Sequence, residues 1–479
     1  MKRTLLVLII ILAILFRVWA SQPTWIQSDE NYYINIYQNY VDRGELTPYM
    51  WRLGGDTNII AGSGTGYGIF VLIGWMRIFG ESLFGVRMLM VLAGLVTAWV
   101  YYLTAKKWWG SQEAGIAALV FGLVSTSAFY TLVGRMDAIG ILSYSLLLLL
   151  HITAVRQEKK WPHFLVGAAA ILTTEFHILG MLYLGGLALY YFYEFVRDTL
   201  EQKRLSLNHR SIYFFVGAGL FGILYIIIHI LPGPKTYLLI ARSCAICQLG
   251  MVDTEIMRVK NLLTYRPHEL LLLILTVYLV FKRDKPYRHY LILLGGYLVS
   301  QIIVSPPPNT QYFPHIMPLF SVGLAGAVQH LFSILKTAQK NRLITGFLVA
   351  SLALLIVNVL SLATQHYPYG NAYLMPDGPE IEYIQEHIPT STVVMSTGDN
   401  FYPLKDYRNF LQYAANLEYG LTIRNESMSH FLERIDPKVI FIRGFESNTG
   451  KTLKKFVNRG DYVQVMPDLL VARELIPIE

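Results

Sequence analysis

Long apolar segments separated by short basic loops constrain the fold of this chain more than any other feature. They recur over the first three quarters of its 479 residues, 54% of which are hydrophobic. A transmembrane helix needs about 20 mostly apolar residues, because the hydrocarbon core of a bilayer is about 30 Å thick. The sequence therefore predicts a mostly α-helical, polytopic membrane protein with about eleven crossings. We place them near residues 4–20, 84–104, 113–133, 137–155, 161–176, 178–196, 211–231, 268–281, 288–304, 313–335 and 342–362.

Positive residues predict the orientation of these crossings. Basic clusters follow the even-numbered crossings, at residues 106–107, 156–160, 197–210, 282–288 and 336–342. Because Lys and Arg are enriched in cytoplasmic loops, these clusters are expected in the cytoplasm. The formal net charge of +8 is thus a sign of orientation and predicts no nucleic-acid partner. The segments expected outside are 21–83, 134–136, 232–267, 305–312 and the tail from about residue 363.

Two amino-terminal segments bear on this topology. Residues 67–80 are too short to cross, and a crossing there would reverse every later loop, so we interpret them as a helix in the outer interface. Residues 4–20 resemble a signal peptide, but no clear small-x-small cleavage site precedes Ser21. We therefore interpret residues 4–20 as an anchor.

The composition changes after residue 363. Apolar runs there shorten to strand length, at residues 393–395, 439–442, 462–465 and 469–472, and helix-like stretches lie at 379–387 and 427–435. We therefore divide the chain into a transmembrane domain, 1–362, with external loops 21–83 and 232–267, and an extracytoplasmic α/β domain, 363–479. This second domain is large enough for its own core, and its sequence contains no Walker, Rossmann or triad motif.

Two acidic clusters are candidates for a functional site, because charges close to a membrane are costly. Asp29 and Glu30 follow the first crossing by a few residues, and Arg135 and Asp137 lie at the start of a later one. The predicted topology places both clusters at the same membrane face. A pair that caps the following helix is the structural alternative for Asp29 and Glu30. A structural ion pair is the alternative for Arg135 and Asp137.

The external loop 232–267 is rich in cations, although the positive-inside rule disfavours them there. These residues are Lys235, Arg242, Arg258, Lys260 and Arg266. Arg suits bidentate contact with phosphate, so we expect the set to bind a phosphate group; contact with lipid headgroups is the alternative. The same loop holds the only two cysteines, Cys244 and Cys247. A local disulfide, a metal ligand pair and free thiols all remain open for them.

Together these groups suit a reaction in which an acceptor hydroxyl loses a proton while a phosphate-linked group leaves. Four motifs in this order resemble the polytopic GT-C glycosyltransferases that use polyprenyl-phosphate sugars, such as protein O-mannosyltransferases (family 39) and lipid A aminoarabinose transferases. The motifs are Ser28-Asp29-Glu30, residues 79–87 (FGESLFGVR), residues 134–137 (GRMD) and residues 311–318 (QYFPHIMP). The resemblance covers about residues 1–335.

The resemblance implies an inverting transfer in which Asp29 is the base or the acceptor-orienting carboxylate. Glu30 is its neighbour, and Arg135 and Asp137 shape the site. It also implies a dolichyl- or undecaprenyl-phosphate sugar donor, and an acceptor that is a lipid, a glycan or a protein. Relatives with monophosphate donors generally need no metal, so no cofactor is expected, although paired acidic motifs also suit Mg²⁺ or Mn²⁺.

This chain departs from the family pattern at two places. Some relatives carry a donor-binding lysine in the hairpin after the fifth crossing, where this chain has Glu175 and His177. We retain these two, with Gln311 and Tyr312, as substrate-binding candidates, and hydrogen bonding to backbone is the structural alternative for His177. Many relatives have a proline shortly before the second crossing, where residues 62–68 of this chain form a glycine-rich string. This string suits either a close approach of backbone to a ligand or a flexible loop.

Two other classes of function compete with the enzyme. A transporter or lipid flippase is the first, but such proteins typically contain internal repeats and midplane polar sites, and this sequence shows no repeat. A membrane scaffold whose external domain binds an envelope partner is the second. The expected location is the plasma membrane of a bacterium or an archaeon, with the carboxy-terminal domain extracytoplasmic.

Overall fold

A computed structural model describes most of the chain. The described residues are 2–21, 25–44, 46, 66–125, 134–203, 209–232, 234, 251–265, 285–304, 310–365, 372–374, 378–396, 403–407, 409–412, 427–441 and 460–476. Several residues singled out above lie outside them, namely Lys235, Arg242, Arg266, Cys244, Cys247 and the predicted crossing 268–281.

The described elements alternate long helices with short turns in the first three quarters of the chain. In chain order they are α1 (Lys2–Ala20), β1 (Trp25–Gln27), α2 (Ser28–Arg43), a 3-10 turn (Gly66–Gly68), α3 (Ile69–Phe79), α4 (Leu83–Trp109), α5 (Gln112–Val124), α6 (Asp137–Val155), α7 (Trp161–Leu172), a 3-10 turn (Thr173–Glu175), α8 (Gly180–Gln202), α9 (Arg210–Tyr225), a π-helical turn (Ile226–Ile230), α10 (Met251–Tyr265), α11 (Lys285–Val304), a 3-10 turn (Thr310–Ile316), α12 (Met317–Ile334) and α13 (Thr337–Gln365).

Strands appear mainly in the last quarter. The remaining elements are β2 (Ala372–Leu374), α14 (Pro379–His387), β3 (Val394–Ser396), β4 (Phe410–Gln412), α15 (Met428–Ile435), β5 (Val439–Phe441), β6 (Tyr462–Met466), β7 (Leu469–Ala472) and a 3-10 turn (Arg473–Leu475). The four strands and two helices expected here from the sequence are confirmed. The three-residue strands β2 and β4 were not expected from the sequence.

Six helices in the described part of the chain are long and apolar enough to cross a membrane. They are Lys2–Ala20, Leu83–Trp109, Asp137–Val155, Arg210–Ile230, Phe313–Ile334 and Thr337–Leu360. A mostly helical, polytopic membrane protein is therefore confirmed, whereas the count of about eleven crossings stays a prediction. The 11-residue α3 belongs to the shorter apolar helices. At about 1.5 Å per residue it is too short to span the hydrocarbon core.

Local sequence signals set the ends of the long helices. The side chain of Ser82 accepts a hydrogen bond from the Gly85 amide at the start of α4, as an N-cap serine does. The helix ends where Gly110 adopts a left-handed conformation, φ 74°, and its N–H bonds the carbonyl of Lys106. Ser111 then caps α5 through the Ala114 amide. The tight reversal between α4 and α5 thus follows from a Gly-Ser pair.

The chain divides into two compact units, residues 1–21 with 60–368, and residues 22–59 with 369–479. The division expected from the sequence, 1–362 and 363–479, stays a prediction. Residues 22–59 group with the carboxy-terminal residues, and within this unit β1 pairs with β2 in an antiparallel ladder that joins Trp25 to Leu374. Backbone pairing between segments this distant in sequence has no local signature.

In the first unit, glycine lets α7 and α9 pack backbone to backbone. A Cβ atom at Gly167 would overlap the carbonyl oxygen of Phe214, and one at Gly217 would overlap that of Phe164. Small residues at such contacts are typical of helix packing in membranes.

In the second unit, a mixed five-stranded sheet has the strand order β4-β3-β5-β7-β6. Strands β4, β3 and β5 are parallel, whereas β7 is antiparallel to both β5 and β6. The apolar strands β3, β5 and β7 lie at the centre and are buried along their length. This arrangement confirms a small α/β domain at the carboxy terminus.

Candidate functional site

Asp137 is the centre of a buried polar cluster in the first unit. Its Oδ2 atom lies 2.8 Å from Arg135 Nε, and its Oδ1 atom lies 2.8 Å from His315 Nε2 and 3.6 Å from His177 Nε2. Three separate segments supply these groups: the start of α6, the turn before α8 and the 3-10 turn before α12. The structure thus brings together three residues predicted from the sequence and adds His315.

The turn that carries His177 is held tightly against α6. A Cβ atom at Gly140 would lie 2.8 Å from the Cβ of His177, so glycine is needed for this approach. Tyr144 donates its hydroxyl proton to the carbonyl of His177, and the Leu179 amide donates to His177 Nδ1 at 3.3 Å. These contacts orient the Nε2 atom of the ring toward Asp137.

A hydrogen bond to its backbone carbonyl positions His315. Tyr183 on α8 donates a hydrogen bond of 2.7 Å to the His315 carbonyl, and the His315 side chain is fully buried. The signal that sequence reasoning overlooked is a histidine between two prolines, Pro314 and Pro318, inside the motif 311–318. Proline disfavours the helical conformation in the residue before it, which helps to keep this segment out of a regular α-helix.

The electrostatics of the cluster follow from its burial. Burial, and then the neighbouring His315 ring, lower the pKa of His177 to about 3, so this imidazole is neutral at ordinary pH. Because its Nδ1 accepts from the Leu179 amide, the proton of the neutral ring lies on Nε2 and points toward Asp137. The Asp137 carboxylate is therefore compensated by one guanidinium and two imidazole N–H groups. It also lies at the amino terminus of α6, where the helix dipole favours an anion.

The residue types also suit a metal ion. The ligating atoms of Asp137, His177 and His315 all lie within 4.8 Å of one another. However, a metal at His177 Nε2 would require the ring proton on Nδ1, where the Leu179 N–H already points. Arg135 also occupies the second carboxylate oxygen. The donor set is thus that of a hydrogen-bonded carboxylate rather than of a metal centre.

Glu175, two residues before His177, takes part in a different cluster. Its Oε1 atom lies 2.7 Å from His229 Nε2, and its Oε2 atom accepts a hydrogen bond of 2.8 Å from the backbone N–H of Tyr67. Sequence reasoning missed His229, whose only signal is a single histidine within an otherwise apolar run, Ile226–Ile230.

The predicted cations and the first acidic pair are less completely described. On α10, Arg258 is paired with Glu255 at 3.1 Å, whereas Lys260 is exposed. Helix α10 packs beside the turn that carries His315.

Glu30 is buried in α2, in the second unit. The backbone of Asp29 lies in the first turn of α2, but its side chain falls outside the described part, as do the side chains of Gln311 and Tyr312.

Comparison with solved structures shows the fold. The chain is similar to ArnT from Cupriavidus metallidurans, in the apo state with a TM-score of 0.66 and bound to undecaprenyl phosphate with a TM-score of 0.62. Identity is 13% in both, over 99% of each chain. An oligosaccharyltransferase from Archaeoglobus fulgidus, in complex with Zn and sulfate, matches with a TM-score of 0.57 and 11% identity, over 91% of this chain and 67% of that one.

In the comparison by sequence, no curated protein matches the chain. Residues 67–224, however, match the family described as dolichyl-phosphate-mannose-protein mannosyltransferase. This segment contains Arg135, Asp137, Glu175 and His177, and the match confirms the resemblance drawn from the four motifs. Over residues 67–224 the chain is thus similar to the dolichyl-phosphate-mannose-protein mannosyltransferase family.

Proposed function

We propose that this protein is an integral membrane glycosyltransferase of the GT-C class that moves a sugar from a polyprenyl-phosphate donor to an acceptor hydroxyl. The observation that carries the proposal is the buried cluster around Asp137, which lies inside the segment that matches the mannosyltransferase family. A charge network buried this deeply in an apolar helical protein is costly, and such networks mark functional sites. The undecaprenyl phosphate bound by the similar ArnT supports a donor of this chemistry.

Asp29 is the proposed base. As the sugar leaves the phosphate, the acceptor hydroxyl gives its proton to the Asp29 carboxylate, and the new glycosidic bond forms with inversion. Asp137 is less suited to accept this proton, because three groups already engage its carboxylate. We therefore assign Asp137, with Arg135, His177 and His315, to positioning in the site. Glu30 belongs to the same proposal as the neighbour of Asp29.

The donor phosphate requires cations, and α10 with its flanking residues supplies them. Arg242, Arg258, Lys260 and Arg266 are the proposed phosphate ligands, while Gln311 and Tyr312 lie in the turn that α10 contacts. Arg favours such a role because its planar fork binds phosphate bidentately. No metal takes part in the proposed transfer.

The proposed topology places this chemistry outside the cytoplasm of a bacterial or archaeal cell. About eleven crossings put residues 21–83, residues 232–267 and the carboxy-terminal domain on the outer side. The acceptor is an envelope glycan, a glycolipid or a protein. The membrane supplies the donor, whose prenyl tail remains among the lipids.

The test is sugar transfer by the purified protein in lipid nanodiscs, with radiolabelled undecaprenyl- and dolichyl-phosphate sugars and an extract of envelope acceptors. We expect the wild type to release polyprenyl phosphate and to label an acceptor. Asp29→Asn should lower turnover by about 10²-fold or more, because it removes the base but retains the shape. Donor binding and thermal stability of this variant should stay close to wild type.

Two outcomes would count against the proposal. If Asp29→Asn turns over like wild type, Asp29 is not the base and caps α2 instead. If the wild type transfers no sugar from any polyprenyl-phosphate donor, the transporter and scaffold functions gain support. Transport of the labelled lipid across a proteoliposome membrane would then separate these two.

A further inference from the structure

The short segment between α7 and α8, residues 173–179, contributes one side chain to each of two polar clusters. His177 contacts Asp137, as described above, whereas Glu175 contacts His229 and the backbone of Tyr67. Only one residue separates Glu175 from His177, so the backbone of one short turn positions both side chains. The contacts of Glu175 are therefore candidates for controlling the geometry of the Asp137 cluster.

Glu175 holds the end of the glycine-rich string. Its carboxylate accepts the Tyr67 N–H, and a Cβ atom at Gly66 would overlap Oε2 of the same carboxylate. Gly66 also has a φ of +46°, a conformation that other residues rarely adopt. A Cβ atom at Gly68 would overlap the backbone carbonyl of Glu175. Both glycines are thus required for this close approach to Glu175.

His229 contacts Glu175 from the π-helical turn Ile226–Ile230, which directly follows α9. The Leu231 N–H bonds the carbonyl of Ile226 at 2.9 Å, which is the longer hydrogen-bond spacing of a π-helical turn. Ile226, Ile227 and Ile228 are about half exposed, as lipid-facing residues would be, while His229 is buried. Such turns are frequent at functional sites, since they re-aim a side chain within an otherwise regular helix.

The pair is enclosed by aromatic rings. The ring of Tyr67 lies 5.3 Å from the His229 ring, and the ring of Tyr225 lies 4.5 Å from it. Glu175 itself has a side chain that is 17% exposed, so most of the carboxylate is away from solvent. A hydrogen bond between an acid and an imidazole is strengthened when water is excluded in this way.

We propose that Glu175 and His229 are positioning residues, which hold the segment Gly66–Gly68 on the turn before α8 and thereby hold His177 in place against Asp137. The pair acts through Tyr67 and His177 and need not touch the substrate. Its role in turnover rests on the glycosyltransferase function proposed above, whereas its role in holding the segment does not.

The experiment compares disruptive with conservative variants of each partner. Glu175→Ala and His229→Ala remove the contact. Glu175→Gln retains an oxygen that accepts the Tyr67 N–H and adds an amide that donates to the imidazole, and His229→Gln keeps an amide N–H near the position of Nε2. Glu194→Ala is the matched control, because Glu194 is a buried carboxylate of the same unit that pairs with Arg197 and Arg210.

The first measurement does not depend on activity. Hydrogen–deuterium exchange of peptides covering residues 66–79 reports the Tyr67 amide and the start of α3. We expect Glu175→Ala to speed exchange at the start of this segment by about tenfold or more, since the acceptor of the Tyr67 N–H is lost. His229→Ala should also speed exchange, because the Glu175 carboxylate loses the imidazole that orients it. The Gln variants and Glu194→Ala should exchange like wild type. Unchanged exchange in both Ala variants would overturn the proposal that the pair holds the segment.

The second measurement is the kinetics of sugar transfer. A misplaced site lowers kcat more than it changes KM, so we expect a fall in kcat of about 10- to 100-fold in the Ala variants and recovery to within about threefold in the Gln variants. Glu194→Ala should lose thermal stability but keep its kcat. Faster exchange with unchanged kcat would make the pair merely structural and would overturn its positioning role. A wild type that transfers no sugar would instead refute the proposed function, and exchange would still decide whether the pair holds the segment.

Discussion

His315 donates the proton of Nε2 to Oδ1 of Asp137 at 2.8 Å, although 178 residues separate the two in sequence. The contact joins the turn before α12 to the first residue of α6. It thus brings the motif 311–318 into contact with the motif 134–137. The carboxylate that results is buried, with a hydrogen bond to Oδ1 and an ion pair with Arg135 at Oδ2, which is the reason for assigning it to positioning.

The Arg135–Asp137 pair should show energetic coupling. Asp137→Asn leaves the Arg135 guanidinium without its counter-charge, and removal of one partner of a buried pair typically costs about 3–5 kcal/mol. In a double-mutant cycle, Arg135→Gln together with Asp137→Asn should cost less than the sum of the two single changes. Thermal unfolding in detergent measures the cycle. Strict additivity would mean that the 2.8 Å contact contributes nothing to stability.

Stability should depend on pH through His177. The folded protein takes up this proton only near pH 3, whereas the unfolded chain takes it up near the usual pKa of about 6.5. Between these values the unfolded state binds more protons, so stability falls as the pH is lowered from about 6.5, by up to about 1.4 kcal/mol per pH unit.

Unfolding temperatures of wild type and His177→Gln between pH 7.5 and about pH 5 test this dependence. The unfolding temperature of His177→Gln should fall less steeply than that of wild type as the pH is lowered. His387→Gln, at an exposed position of the second unit, is the control and should retain the wild-type slope. Identical slopes in wild type and His177→Gln would contradict the lowered pKa.

Two glycines of α9 provide a matched test of helix packing. A Cβ atom at Gly217 would overlap the Phe164 carbonyl, whereas one at Gly219 would have no neighbour within 4 Å. Gly217→Ala should destabilise the protein by about 1–3 kcal/mol, since backbone must move to admit the methyl group. Gly219→Ala should leave stability unchanged or raise it. Equal unfolding temperatures for the two variants would be evidence against close contact of α7 and α9.

The proposed donor site should respond with opposite signs to changes at Glu255 and Arg258. Glu255 accepts from Arg258 at 3.1 and 3.3 Å and from Gln301 at 3.2 Å. Arg258→Ala should weaken binding of a polyprenyl-phosphate donor by about 1.5–3 kcal/mol, the value of a lost charge-assisted bond. Glu255→Gln should strengthen binding, because the guanidinium no longer has a competing carboxylate.

Donor affinity measured by calorimetry in nanodiscs decides this prediction. Arg242→Ala, Lys260→Ala and Arg266→Ala complete the set, and the largest loss identifies the residue that contacts the phosphate. Unchanged affinity in all four Ala variants would refute the assignment of this loop to the phosphate.

Membrane topology is testable with reporter fusions. Reporters placed after Lys107, Lys160 and Lys282 should read cytoplasmic, since each follows an even-numbered crossing, and one after Gln365 should read external. Alkaline phosphatase and green fluorescent protein fusions give complementary signals for the two sides. A cytoplasmic reading after Gln365 would refute both the helix count and the shared face of the two acidic clusters.

Much of the secondary structure was predictable because its signals are local. The apolar lengths of α4, α6 and α13 follow from the sequence, and Val439–Phe441 was recognisable as a strand from its β-branched and aromatic residues. The ends of α7 were less predictable, since the expected crossing 161–176 is an α-helix only to Leu172 and then a 3-10 turn. The turn after Leu172 packs closely on itself, since a Cβ atom at Gly180 would overlap Thr173.

The sequence by itself determined that this chain is a polytopic membrane protein with a small α/β domain, and it singled out Arg135 and Asp137, because charge and hydropathy along the chain are local properties. The family resemblance added His177. Only the tertiary structure decided that His315 completes the Asp137 cluster and that Glu175 pairs with His229. It also decided that residues 22–59 join the carboxy-terminal unit. These contacts join segments far apart in sequence, and they depend on helix packing and backbone pairing, which leave no periodic signal in the residues themselves.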